Sequence, residues 1–130
     1  MKLVSTLFVL FFSVWSLQAQ TDIDSAISSA LAKGDGETLS SYFNDNIELV
    51  IGTTNDVYSK KQAGSIVTDF FRKNKVAAFK VLHKGSKENS SFLICSVTSG
   101  ISTYRVYVLV RRAPNNKHLI QQLRIESSND

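Results

Sequence analysis

Tyr104-Arg105-Val106-Tyr107-Val108-Leu109-Val110 and Leu119-Ile120-Gln121-Gln122-Leu123-Arg124-Ile125-Glu126 both alternate in side-chain character, and a polar break at Asn115-Asn116 separates them. A period of two marks a strand with one covered and one open face. With Asn115-Asn116 as a two-residue hairpin turn, Val106 faces Ile125, Val108 faces Leu123 and Val110 faces Gln121 on one side. On the other side Arg105 faces Glu126, Tyr107 faces Arg124 and Leu109 faces Gln122. A slip of one residue would mix the two faces, so the sorting itself supports the register.

A turn at Ser99-Gly100 extends the pattern upstream. It sets Cys95 against Tyr104 and Leu93 against Val106 on the apolar face, with Ile94 against Arg105 and Phe92 against Tyr107 on the other. A further strand containing His83 precedes the turn between Gly85 and Ser90. Four sequential strands with short connections pair antiparallel.

The first half of the chain has a different period. Ile23, Ala26, Ile27, Ala30 and Leu31 recur at helical spacing between Thr21-Asp22 and Gly34, which serve as cap and stop. Asp35 caps a second short helix with a stripe of Leu39, Tyr42 and Phe43, broken by Asn44-Asp45-Asn46. Ile47 to Ile51 is a strand, Gly52 to Asp56 a turn, and Val57-Tyr58 the start of a short returning strand. Ser59 and Gln62 form a capping box for a third helix, with Ala63, Ile66, Val67, Phe70 and Phe71 as its stripe and its end near Asn74. The order α-α-β-β-α-β-β-β-β predicts an α+β domain in which the helices cover the apolar face of an antiparallel sheet.

Before this domain, Lys2 and the apolar run from Leu3 to Leu17 lead into Gln18-Ala19-Gln20, the order of a cleaved export signal. The run is short for a membrane span, which needs roughly 20 apolar residues. Residues 1–19 are therefore expected to be the signal peptide and 20–130 one domain, periplasmic or secreted, with no membrane anchor after cleavage. The lone Cys95 precludes an intramolecular disulfide and sits in an apolar run, as a small core residue would. Charge divides unevenly: seven acidic residues and one Lys lie between Gln20 and Tyr58, against thirteen basic and four acidic residues from Ser59 onward. Export argues against a nucleic-acid partner, and the lysines fit solvated strand faces and helix ends.

The element order resembles the nuclear-transport-factor-2-like fold, the cystatin-like roll. Tyr42-Phe43-Asn44-Asp45-Asn46, Val57-Tyr58-Ser59-Lys60, Asp69-Phe70-Phe71, Tyr104 to Tyr107 and Leu119 to Glu126 together resemble an exported bacterial family of unassigned function within it. That resemblance implies a curved sheet, with the three helices on its concave face and a conical cavity between them that suits a small apolar ligand. Tyr42, His83, Tyr104 and Gln121 are the polar residues expected to line it.

The opposite, mixed face carries Phe92, Ile94, Tyr107, Leu109 and Ile120, a larger apolar patch than a monomer usually exposes. Phe92, Ile94, Arg105, Tyr107, Arg124 and Glu126 are the candidate interface with a second copy. Catalysis has weaker support: isomerases of this fold use a carboxylate base with a Tyr and a protonated acid, and here only His83 with Glu48 could serve. No catalytic residues, cofactor or metal site are expected, because phosphate-cradling loops, metal-spaced Cys and His clusters and nucleophile triads are lacking. Expression with export should release a chain whose first residue is Gln20. Intact mass spectrometry checks this, and a mass retaining residues 1–19 would contradict it.

Overall fold

The computed structural model describes residues 19–128, so the expected signal peptide lies outside the described residues apart from Ala19. The elements follow in the expected order: α1 (Ala19–Lys33), α2 (Gly36–Ser40), β1 (Phe43–Ile51), β2 (Thr54–Ser59), α3 (Lys60–Lys73), β3 (Ala78–Lys87), β4 (Ser90–Ser99), β5 (Ser102–Arg112) and β6 (His118–Ser127).

α1 begins at Ala19, ahead of the Thr21-Asp22 cap that the sequence suggested, and the later helix boundaries follow local chemistry. α1 stops in a Schellman motif: Gly34, at φ 66°, donates to the Leu31 carbonyl at 3.1 Å, and Asp35 N–H donates to Ala30 at 2.8 Å. Asp35 then turns its carboxylate onto the next helix, accepting from Thr38 N–H at 3.1 Å and from the Thr38 hydroxyl at 2.6 Å. These bonds hold the Asp35 carboxyl below its ordinary value. The capping box of α3 is formed, with Gln62 N–H donating to Ser59 Oγ at 3.2 Å and Ser59 N–H to Gln62 Oε1 at 3.4 Å.

All six strands join one curved open sheet in the order β2-β1-β6-β5-β4-β3. Every neighbouring pair is antiparallel except β1 with β6, which run parallel. From Arg105 to Leu109 the β5–β6 register is as the alternation predicts. Beyond Leu109 it shifts by one: Val110 meets Ile120, not Gln121. The cause is the loop. Ala113-Pro114-Asn115-Asn116 closes a turn through Asn116 N–H to the Ala113 carbonyl at 2.9 Å, and Asn116 takes a left-handed φ of 65°. This is a three-residue hairpin connection with its bulge rather than a two-residue turn.

The β4–β5 register departs by two residues. The loop is Gly100-Ile101, with Gly100 at φ 61°, and Cys95 faces Val106 while Val97 faces Tyr104. An even shift leaves every side chain on its expected face. β2 spans Thr54–Ser59 and absorbs most of the expected turn, and Phe43 opens β1 instead of closing a helix.

The core lies between the helices and one sheet face. Phe43, Ile47, Leu49, Val106, Val108, Val110, Ile120, Leu123 and Ile125 meet Ile27, Leu31, Leu39, Val67 and Phe71 there. Two glycines let α2 seat on α3: a Cβ on Gly36 would stand 2.7 Å from the Thr68 Cα, and one on Gly64 would stand 3.1 Å from the Ser40 Cβ. Gly36→Ala should therefore cost about 1–3 kcal/mol, because backbone has to move. Gly52→Ala should cost only about 1 kcal/mol, from its left-handed φ alone, since nothing lies within 4 Å. Urea unfolding measures both, and equal losses would contradict the tight α2–α3 seat.

Candidate functional site

The four residues expected to line a cavity are not brought together. Tyr104 faces Val97 near the β4–β5 loop, and its hydroxyl donates to Asn74 Oδ1 at 3.1 Å. Asn74 in turn caps α3, its side-chain amide donating to the Phe70 carbonyl at 2.9 Å. Phe70 also stands edge-on to the Tyr104 ring at 5.2 Å. Tyr104 thus closes the C-terminal end of α3. Tyr42 sits at the opposite end of the sheet: its carbonyl accepts from Ile120 N–H at 2.7 Å, and Ile120 pairs with Val110, six residues along β5 from Tyr104. At ~3.4 Å per residue that separates the two ends by about 20 Å. Gln121 is the bulged residue of β6, and its Oε1 accepts from Asn44 Nδ2 at 3.3 Å. His83 is exposed on the other sheet face, 5.4 Å from the Phe92 ring.

The interior between helices and sheet is occupied by the protein's own side chains. Phe43, Leu39, Leu49, Val67, Val106 and Ile120 are each no more than 1 % exposed. Among the described residues no polar or charged side chain is buried. Ile120, expected in the open patch, belongs to this core through the β6 bulge.

The open sheet face gathers the remaining candidates into rows. One row runs Gly85, Phe92, Leu109, Gln122, Glu48, Val57 from β3 to β2. The next runs His83, Ile94, Tyr107, Arg124, Val50, Asn55. Beside them Ser96, Arg105 and Glu126 align, and Arg124 Nε donates to Glu126 Oε1 at 2.6 Å. Phe92 lies over Gly85, where a Cβ would meet its ring at 2.6 Å, so the glycine gives the aromatic its place on the sheet. Phe92 is 39 % and Val57 62 % exposed, while Ile94, Tyr107 and Leu109 are half-buried. Glu48 and His83 share this face, yet four strand spacings separate β1 from β3, about 19 Å at ~4.8 Å each. They cannot act on one substrate bond.

An open cleft of about 810 Å³ lies at the Tyr42 end, among the α2–β1 junction, the start of α3, the β5–β6 loop and Ile23. Asn44, Asp45, Lys60, Lys117 and His118 contribute its polar wall, none of them a predicted site residue. The only sequence signal for them was a polar triplet, Asn44 to Asn46, set against strand-forming neighbours. Among the described residues no group of three His, Cys, Asp or Glu side chains is placed to hold a metal ion, and no helix is long and apolar enough to cross a membrane.

A profile described as "Domain of unknown function (DUF4783)" matches residues 24–126. The chain belongs to the DUF4783 family. A DUF4783 protein from Bacteroides ovatus ATCC 8483 is 31% identical, with 82% of this chain and 96% of that one covered at a TM-score of 0.76. One from Bacteroides uniformis ATCC 8492 is 27% identical, covering 83% and 99% at a TM-score of 0.78. Beyond DUF4783, an NTF-2-like protein of unknown function from Silicibacter pomeroyi DSS-3 shares the fold at 11% identity, covering 85% and 93% with a TM-score of 0.58. No curated protein matches. The fold is therefore nuclear-transport-factor-2-like, as the element order implied.

Cys95 takes no part in either surface. It is fully buried on the core face, and burial pushes its thiol from 9.0 up to about 12. A thiol that stays protonated in the folded state but ionises in the unfolded one stabilises the protein below about pH 9. That contribution falls as pH rises from there towards about 12. Cys95→Ala should lose stability less steeply across this window than the parent protein in pH-resolved urea melts. Parallel slopes would place the thiol in contact with water.

Proposed function

We propose that this protein is an exported, non-catalytic interaction module that associates with a second copy of itself through the open sheet face. The observation that carries this reading is the row structure of that face: Phe92, Leu109, Ile94 and Tyr107 form a continuous apolar centre on β4 and β5, partly open to solvent, with Val50 beyond Arg124. Arg105 and Arg124 lie beside it together with Glu48 and Glu126. A twofold axis brings the same patch against itself, so mixed charges at its border complement one another. Six strands at ~4.8 Å spacing and about 20 Å of length offer about 500 Å² per copy, close to the lower bound of roughly 1,000 Å² in total for a specific interface.

A small apolar ligand held between helices and sheet, oriented by Tyr42, Tyr104 and Gln121, has less support. Phe43, Leu39, Val67 and Ile120 fill that space, and the Tyr104 and Gln121 side chains are engaged by Asn74 and Asn44. An isomerase or dehydratase built on His83 and Glu48 lacks convergence.

Sedimentation velocity at tens of micromolar should give a dimer for the parent protein and a monomer for Ile94→Lys, with the thermal midpoint little changed. A parent protein that sediments as a clean monomer would overturn the proposal.

A further inference from the structure

The cleft at the Tyr42 end lies where two strands abandon regular pairing together. Between Phe43 and Glu48 four residues of β1 stand against Gln121 alone in β6. Bulges bend a strand and re-aim its side chains, at the cost of ladder hydrogen bonds. Here side chains replace some of them: Asn44 Nδ2 donates to the Asn46 carbonyl at 3.2 Å and to Gln121 Oε1 at 3.3 Å. The irregularity is thus stabilised locally by polar residues.

The opposite wall also has its own hydrogen bonds. Ala113 N–H donates to the Lys117 carbonyl at 2.7 Å, and Lys117 N–H donates to Asn115 Oδ1 at 3.1 Å, bonds that tie the two ends of the β5–β6 loop together. Lys60 spends one ammonium proton on the Ser41 carbonyl at 3.2 Å and has two more to offer. Around the opening Lys60 and Lys117 outnumber the one carboxylate, Asp45, and His118 adds a donor or acceptor. Tyr42 with Ile23, Pro114 and Leu119 supplies the apolar part. A volume of about 810 Å³ falls within the usual range for small-molecule sites.

We infer that this cleft binds a small organic anion: a carboxylate held by Lys60 and Lys117, with an apolar or aromatic body laid against Tyr42. The site is separate from the sheet face proposed for self-association and does not depend on it.

Amide chemical shifts of the protein, titrated with 1-naphthoate, the neutral 1-naphthalenemethanol and the cationic 1-naphthylmethylammonium, test the inference. Naphthoate should bind about tenfold more tightly than the neutral probe, in line with charge-assisted hydrogen bonds. Its shifts should be confined to residues 42–45, 60 and 117–119. Lys117→Gln, on an exposed loop, should weaken naphthoate several-fold and leave the neutral probe unchanged. Lys60→Gln should act likewise if its spectrum retains the parent fold. Equal affinity for all three probes, shifts centred on Phe92 and Tyr107, or no saturable binding by naphthoate would each overturn the assignment.

Discussion

The pairing of β5 with β6 is the constraint on which the other features depend. Val106, Val108 and Val110 meet Ile125, Leu123 and Ile120 on one face of the two strands, and all six are at most 2 % exposed. Burying a side chain of this size contributes roughly 1.5–3 kcal/mol. A row of such pairs outweighs the loop-closure cost of the hairpin and dictates which face the helices must cover. β4 and β1 then add to either side, and β3 and β2 form the edges. The apolar residues of α1, α2 and α3 all pack on that one face, and the other face remains open.

Much of this was legible in the sequence because alternation is a parity rule. The faces of β4, β5 and most of β6 were readable from residue type, and the two-residue error at Gly100-Ile101 did no harm since parity survives an even shift. Parity fails where an odd residue enters. The left-handed Asn116 and the bulge beside Gln121 reverse the faces of Ile120 and Gln121, and no local residue type announces where such a bulge will fall. The parallel pairing of β1 with β6 was likewise hidden, because it joins segments some seventy residues apart that share no turn. Phe43 was ambiguous for a third reason: as an apolar residue between Leu39 and a polar triplet it satisfies a helical stripe and a strand start equally well.

The candidate site was less legible than the fold. Tyr42 and Tyr104 share residue type, and both flank the core, yet they lie at opposite ends of the sheet. One borders the open cleft and the other locks the end of α3 through Asn74. Distances across a sheet depend on strand order, and strand order is a property of the whole chain. Strand order also separates Glu48 from His83. Alternation alone does place Phe92, Ile94, Arg105, Tyr107, Arg124 and Glu126 on one face of the sheet, because strand parity is a local property.

We propose that a second copy covers the open face of the sheet, as the protein's own helices cover the other. Isotope-filtered NOE spectroscopy on a mixture of labelled and unlabelled protein tests it at the level of atoms. A dimer through the open face gives intermolecular contacts from the Ile94 and Leu109 methyl groups to the Tyr107 and Phe92 rings. Intermolecular contacts on the helical surface instead, or none from these methyl groups at millimolar concentration, would contradict it.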